Sequence, residues 1–151
     1  MVLLLFDFFF HPFVPDVLSL WHQEFDFYTL LLSVVYGGII EEIMMRWGMM
    51  TLLVWLFWKV AARKKQVPPY AVFWTAILVS SLVFAVGHYS VTALETEITT
   101  PVLVRMVILN GFGGVVFGWL YWKKNLETAM AAHICTHLTM QAVLVISTIL
   151  S

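Results

Sequence analysis

Gly37-Gly38-Ile39-Ile40-Glu41-Glu42-Ile43-Met44-Met45-Arg46 sets three ionisable side chains inside a long apolar run. At mid-membrane each such group costs about 2.5–3.5 kcal/mol on insertion scales, so intramembrane charges are usually paired, functional or both. At roughly 100° per residue, Glu42 and Arg46 share one helix face at i,i+4, while Glu41 projects about 100° away from Glu42. Arginine can therefore hold one carboxylate while its neighbour stays available for chemistry. The competing reading makes the cluster the water-exposed end of a span, and the rest of the chain has to separate the two.

The chain has 151 residues, which fits one domain, and its composition names the solvent. Hydrophobic residues make up 62% and charged residues 11%, with a mean hydropathy of +0.92. A soluble domain carries about 25% charged residues, so the expected fold class is all-α: a polytopic membrane helical bundle of about four to five membrane helices with a short apolar N-terminal segment. The net charge of -1, without a dense basic patch, excludes nucleic acid as a partner. Cys135 is the sole cysteine, so no intrachain disulfide can form. Met1 to Phe10 lacks a basic n-region and a small-residue cleavage site, so the start of the chain is expected to stay unprocessed.

Met1 to Phe10 is closed by His11-Pro12-Phe13-Val14-Pro15, well short of the ~20 residues of a spanning helix. Residues 1–26 are therefore expected to form an interfacial, re-entrant or partial membrane segment ahead of a core at 27–151. The apolar stretch from Phe27 to Val60 would reach about 51 Å as one rod, against a hydrocarbon core of ~30 Å, and a break near Arg46 is expected. One long helix projecting into water is the alternative. Gly37 and Gly38 suit either a kink or close packing. Spans are expected from Tyr70 to about His88, from Pro101 to Trp122 and from Leu126 to Leu150. Arg63-Lys64-Lys65 and Lys123-Lys124 then lie on one side, which the positive-inside rule makes cytoplasmic. Trp55, Trp58, Trp74, Trp119, Tyr121 and Trp122 fall near span ends, as an aromatic belt requires.

Phe84 and His88 stand at i,i+4 near the end of one span, and His133 and His137 stack one turn apart within the last. A lone intramembrane histidine is more often a packing residue than a catalyst. Two carboxylates, an arginine and three imidazoles on separate apolar segments are hard to explain as packing alone. Small residues Ala129, Ala131, Ala132, Gly114 and Gly118 allow the close helix approach that would bring them together. Depth argues the other way: counted from membrane entries near Phe73 and Lys124, His88 lies about 22 Å and His133 about 13 Å deep, so a helix must tilt or a boundary must shift by a turn or two. Arg105 and Asn110 are expected to snorkel or to bond between helices, Glu127 to suit a helix N-terminus, and His11 and His22 to be surface residues.

Glu41-Glu42-Ile43-Met44-Met45-Arg46 fits EExxxR, Phe84 to His88 fits FxxxH, and His133 to His137 occupies the place of an HxxxN motif. In that order, on apolar segments, they make the chain from roughly Phe27 to Leu150 resemble the CAAX-processing and bacteriocin-processing (CPBP, or ABI) family of glutamic intramembrane proteases. The approach Leu120-Tyr121-Trp122-Lys123-Lys124-Asn125-Leu126-Glu127-Thr128-Ala129 is also similar to the family's. Two departures stand out: His137 replaces the usual asparagine, and the chain is shorter than prenyl-protein endopeptidases, so a bacterial sorting tail or bacteriocin leader is an eligible substrate. The resemblance implies an endopeptidase in a bacterial cytoplasmic membrane, acting on a membrane-associated peptide or protein without a cofactor. Glu41, assisted by His88, would activate water; His133 and His137 would stabilise the oxyanion; Glu42, Arg46 and Phe84 would support them.

Two rivals remain. Glu41, His88, His133 and His137 are also eligible zinc ligands, although Ile134 stands where the zincin motif has glutamate. A non-catalytic membrane protein for bacteriocin immunity or scaffolding would use the same bundle and tolerate loss of Glu41 or His88.

Overall fold

The computed structural model describes residues 2–18 and 25–150. Its helices are α1 (Val2–Phe10), α2 (Phe27–Ala61), α3 (Tyr70–Gly87), α4 (Tyr89–Glu95), α5 (Thr100–Lys123) and α6 (Leu126–Leu150), with 3-10 turns at His11–Phe13 and Asp16–Leu18. No strand occurs among the described residues. Four stretches are long and apolar enough to cross a membrane: Phe27–Ala61, Tyr70–Glu95, Thr100–Lys123 and Leu126–Ile146. Each starts where the local chemistry directs. Asp26 is extended and accepts the Thr29 N–H at 2.7 Å, Pro101 occupies the first turn of α5, and Asn125 accepts the Thr128 N–H at 2.9 Å. Each device deals with donors that a first helical turn leaves unbonded.

The break expected near Arg46 does not occur. α2 is continuous over 35 residues, and the charge that would have ended a span is neutralised inside the bundle. Its middle, over Ser33–Glu41 and Ile43–Met50, is wound as a π-helix. Thr51 closes this winding by donating its N–H to the Arg46 carbonyl, five residues back. The i→i+5 pattern is rare and concentrates at functional sites. It shortens the rod, and tilt or projection takes up the remaining excess over the hydrocarbon thickness.

Gly37 and Gly38 serve close packing rather than a kink. A Cβ on Gly37 would stand 2.8 Å from His137 Nε2, and one on Gly38 would collide with the Ile134 side chain, so α6 lies directly on the α2 backbone. α3 and α5 approach in the same way: a Cβ on Gly114 would stand 2.9 Å from that of Ser81, and Gly118 faces Ile77. Met50, Ala76 and Ile77 form the apolar centre between α2 and α3, ringed by Leu53, Val54, Phe57 and Val115. Trp122 at one end of the bundle stacks on Phe73 at 4.8 Å and meets Tyr70 edge-on, with Lys123 Nζ 3.6 Å above its ring. The N-terminal segment packs on the other end, where Phe10, Val14 and Leu18 bury Val102 of α5.

Candidate active site

Glu42 and Arg46 are wholly buried, so they are not the wet end of a span. Glu42 Oε2 accepts from Arg46 Nε at 3.0 Å, the i,i+4 pair expected from helical geometry. Its other oxygen, Oε1, lies 2.9 Å from Nδ1 of His133 on α6. The Arg46 guanidinium carbon stands 5.3 Å from the Phe84 ring centroid, which closes a network joining α2, α3 and α6. Arg46 Nη1 and Nη2 make no hydrogen bond among the described residues. A buried pair of charges is costly to desolvate, and shared hydrogen bonds with a cation–π face are what make this one tolerable.

Glu41 projects away from that network, as expected, and makes no hydrogen bond among the described residues. It lines a cavity of about 280 Å³ with His88, Tyr36, Met44, Met45 and Phe84. His88 Nδ1 lies 2.8 Å from the Phe84 carbonyl, which can only accept, so neutral His88 carries its proton on Nδ1 and its lone pair on Nε2. That is the tautomer of a base.

The other two imidazoles stack in parallel, 4.9 Å apart at 19°, and His133 stacks in turn on Phe117 at 4.5 Å. With Nδ1 of His133 tied to Glu42, its Nε2 points to the Gly37 backbone, where a Cβ would stand 3.7 Å away. His137 Nε2 points to the same spot, is buried, and has no hydrogen-bond partner among the described residues. Both Nε2 atoms therefore address one glycine, which lies four residues before Glu41 on α2.

The difference in depth between His88 and His133 is bridged by Phe84. Its ring stands 4.8 Å from His88 and 6.1 Å from His133, edge-on to both. Phe84 lines both the Glu41–His88 cavity and one of about 200 Å³ that holds His133, His137, Arg105 and Asn110. Among the described residues no group of three His, Cys, Asp or Glu side chains converges to hold one metal ion.

Sequence reasoning missed the partners of two residues. Arg105 bonds between helices, one of its two expected alternatives, rather than snorkelling: its Nε donates to Asp7 Oδ1 at 3.2 Å and its Nη2 to the Leu18 carbonyl at 2.7 Å, with Asp7 buried on α1. Asn110 bonds within its own helix and not between helices, its Nδ2 donating to the Met106 carbonyl one turn away at 2.9 Å. Asp7 as an acidic residue in an otherwise apolar segment was the available signal for the first. His11 is half-buried, and His22 lies outside the described residues.

Comparison with curated proteins and with solved structures yields no match. Residues 23–139 match the family described as type II CAAX prenyl endopeptidase Rce1-like. That range takes in the Glu41–Arg46 cluster, Phe84, His88, His133 and His137, and with four membrane-length helices around them the chain belongs to this family of CAAX-type membrane proteases.

Proposed function

We propose that the chain is an intramembrane endopeptidase that hydrolyses a peptide bond of a membrane-associated substrate, with Glu41 and His88 activating the water. The observation that carries this reading is the division of labour between adjacent carboxylates. Glu42 is saturated by Arg46 and His133, whereas Glu41 faces a cavity with the lone pair of His88. A carboxylate and an imidazole lining one cavity can take a proton from water as it attacks a carbonyl. His133 and His137 act from the other side of the same helix turn. Their Nε2 atoms converge beside Gly37, one turn before Glu41, and in this reading they are the fixed donors that stabilise the oxyanion in a water-poor site. For His133 to donate at Nε2 while Nδ1 serves Glu42 it must be the imidazolium, and the Glu42 carboxylate supports that charge.

The substrate we propose is a C-terminal apolar tail of CAAX or sorting type, with a bacteriocin leader as the alternative, processed in a bacterial cytoplasmic membrane. The mechanism needs no metal, so chelation of purified protein should leave activity unchanged, and stoichiometric zinc lost together with activity would favour the metalloprotease. The test is a comparison of peptide termini in host membranes carrying the native chain or Glu41→Gln at equal level. A defined set of termini is expected to disappear in the variant. Indistinguishable profiles, where a deletion has a phenotype, would transfer the assignment to a non-catalytic bundle.

A further inference from the structure

Arg105 sits in the cavity that holds His133 and His137, yet nothing in the chemistry above uses it. Its present partner is instructive. α1 runs along α5 with Leu3 and Asp7, one turn apart, lining that cavity, and Phe6 meets Phe112 edge-on at 5.8 Å. An apolar helix therefore lies beside the two imidazoles and sets the side-chain carboxylate of Asp7 on Arg105. From this we infer that Arg105 is the anchor for the free C-terminal carboxylate of the substrate, and that Asp7 occupies the anchor when substrate is absent. The inference rests on the proteolytic reading above and assigns the far end of the same substrate.

Register agrees with chemistry. Phe117 stacks on His133 across the antiparallel α5–α6 pair, so His137 is level with residue 113, and Arg105 lies eight residues further along α5, about 12 Å away. A CAAX tail ends three residues beyond its cysteine, and three extended residues span about 10 Å. Hydrolysis beside that cysteine, at the imidazole pair, would leave the terminal carboxylate within reach of a long arginine side chain. Anchoring also needs preorganisation. The bond from Nη2 to the Leu18 carbonyl holds the guanidinium in place when Asp7 departs, so its Nε edge stays directed at the cavity. An arginine suits this task because its planar fork matches a carboxylate.

The test uses the full chain in detergent micelles, in a Glu41→Gln background that keeps the peptide intact. The probe is a fluorescent peptide with a lipidated cysteine and three apolar residues, prepared as free acid and as C-terminal amide. The acid is expected to bind about ten-fold or more tightly than the amide, as a charge-assisted pair requires. Asp7→Asn should tighten the acid and leave the amide unchanged, because it removes the internal competitor. Arg105→Gln combined with Asp7→Asn keeps a neutral hydrogen bond between α1 and α5 and should abolish the discrimination. Equal binding of acid and amide with Arg105 intact, or discrimination that survives in the double variant, would overturn the anchor. Turnover by the native chain separates the two readings. Cleavage of both forms with equal kcat/KM removes the anchor and keeps the protease, whereas a retained binding preference without any cleavage does the reverse.

Discussion

Two adjacent glutamates divide structure from chemistry because one helical step turns them toward different neighbours. Glu42 ties three helices together through Arg46 and His133, so Glu42→Ala leaves a buried guanidinium uncompensated and should cost about 3–5 kcal/mol of stability. Glu42→Gln keeps one acceptor oxygen for Arg46 Nε and should cost less. Glu41→Gln should abolish turnover while leaving the unfolding midpoint where it was, since its side chain holds nothing. Denaturant unfolding of the three variants in micelles, beside a cleavage assay, checks the division, and equal destabilisation by Glu41→Gln and Glu42→Gln would refute it. Gly37 tests the imidazole pair directly. A methyl there would stand 2.8 Å from His137 Nε2 and push that imidazole aside, so Gly37→Ala should lower kcat by about 10²–10³ with helical content retained, the loss that removal of an oxyanion donor brings. Full activity in Gly37→Ala would take His133 and His137 out of that role.

At the scale of the element, the apolar run of α2 was legible, but its continuity was only the alternative to a break and its winding was illegible, because apolar residues on every side give no period from which an i→i+5 pattern could be read. The expected break rested on the length of the run against the hydrocarbon thickness; the Glu42–Arg46 pair was legible from its i,i+4 spacing, whereas the Phe84 face over Arg46 shows only in the contacts across the bundle. The start of α2 offers a pH test. Hydrogen bonds from the Thr29 hydroxyl and from its backbone N–H hold the Asp26 carboxyl below the usual carboxylate range. A depressed value means that the cap's contribution is full above the unfolded pKa and is lost as pH falls through the folded one. Amide exchange over the first turn of α2 should therefore quicken below about pH 4, the ordinary carboxylate value, in the native chain. In Asp26→Asn that acid response should be absent. An identical acid response in both would mean that the cap does not govern the turn.

The whole molecule is a bundle with chemically unlike ends, and the likeness between its spans made that partly readable in advance. Spans, aromatic ends and the meeting of α2, α3 and α6 around the acidic cluster follow from apolar length, small residues and motif order. The seating of α1 on α5 does not, because it depends on an ion pair 98 residues apart in sequence, which no local pattern encodes. One end carries the loop Arg63 to Lys65 and Lys123 with Lys124, where Lys123 lies over Tyr70 and Trp122 and so brings the start of α3 and the end of α5 together. The opposite end carries Glu95, Glu97 and the N-terminal segment packed on Val102. The positive-inside rule puts the basic end in the cytoplasm. With Cys135 replaced by serine, single cysteines at the exposed positions Lys64, Lys124 and Glu97 report each end separately. A membrane-impermeant thiol reagent applied to intact spheroplasts should label Glu97→Cys and spare Lys64→Cys and Lys124→Cys, and all three should react after lysis. Opposite labelling of Lys64→Cys and Lys124→Cys would break the bundle itself, since both lie at one end of it; protection of Glu97→Cys with labelling of the other two would keep the bundle and invert it. That second outcome would also move the Arg105 end of the cavity to the cytoplasmic side, and with it the side from which a substrate's carboxylate must arrive.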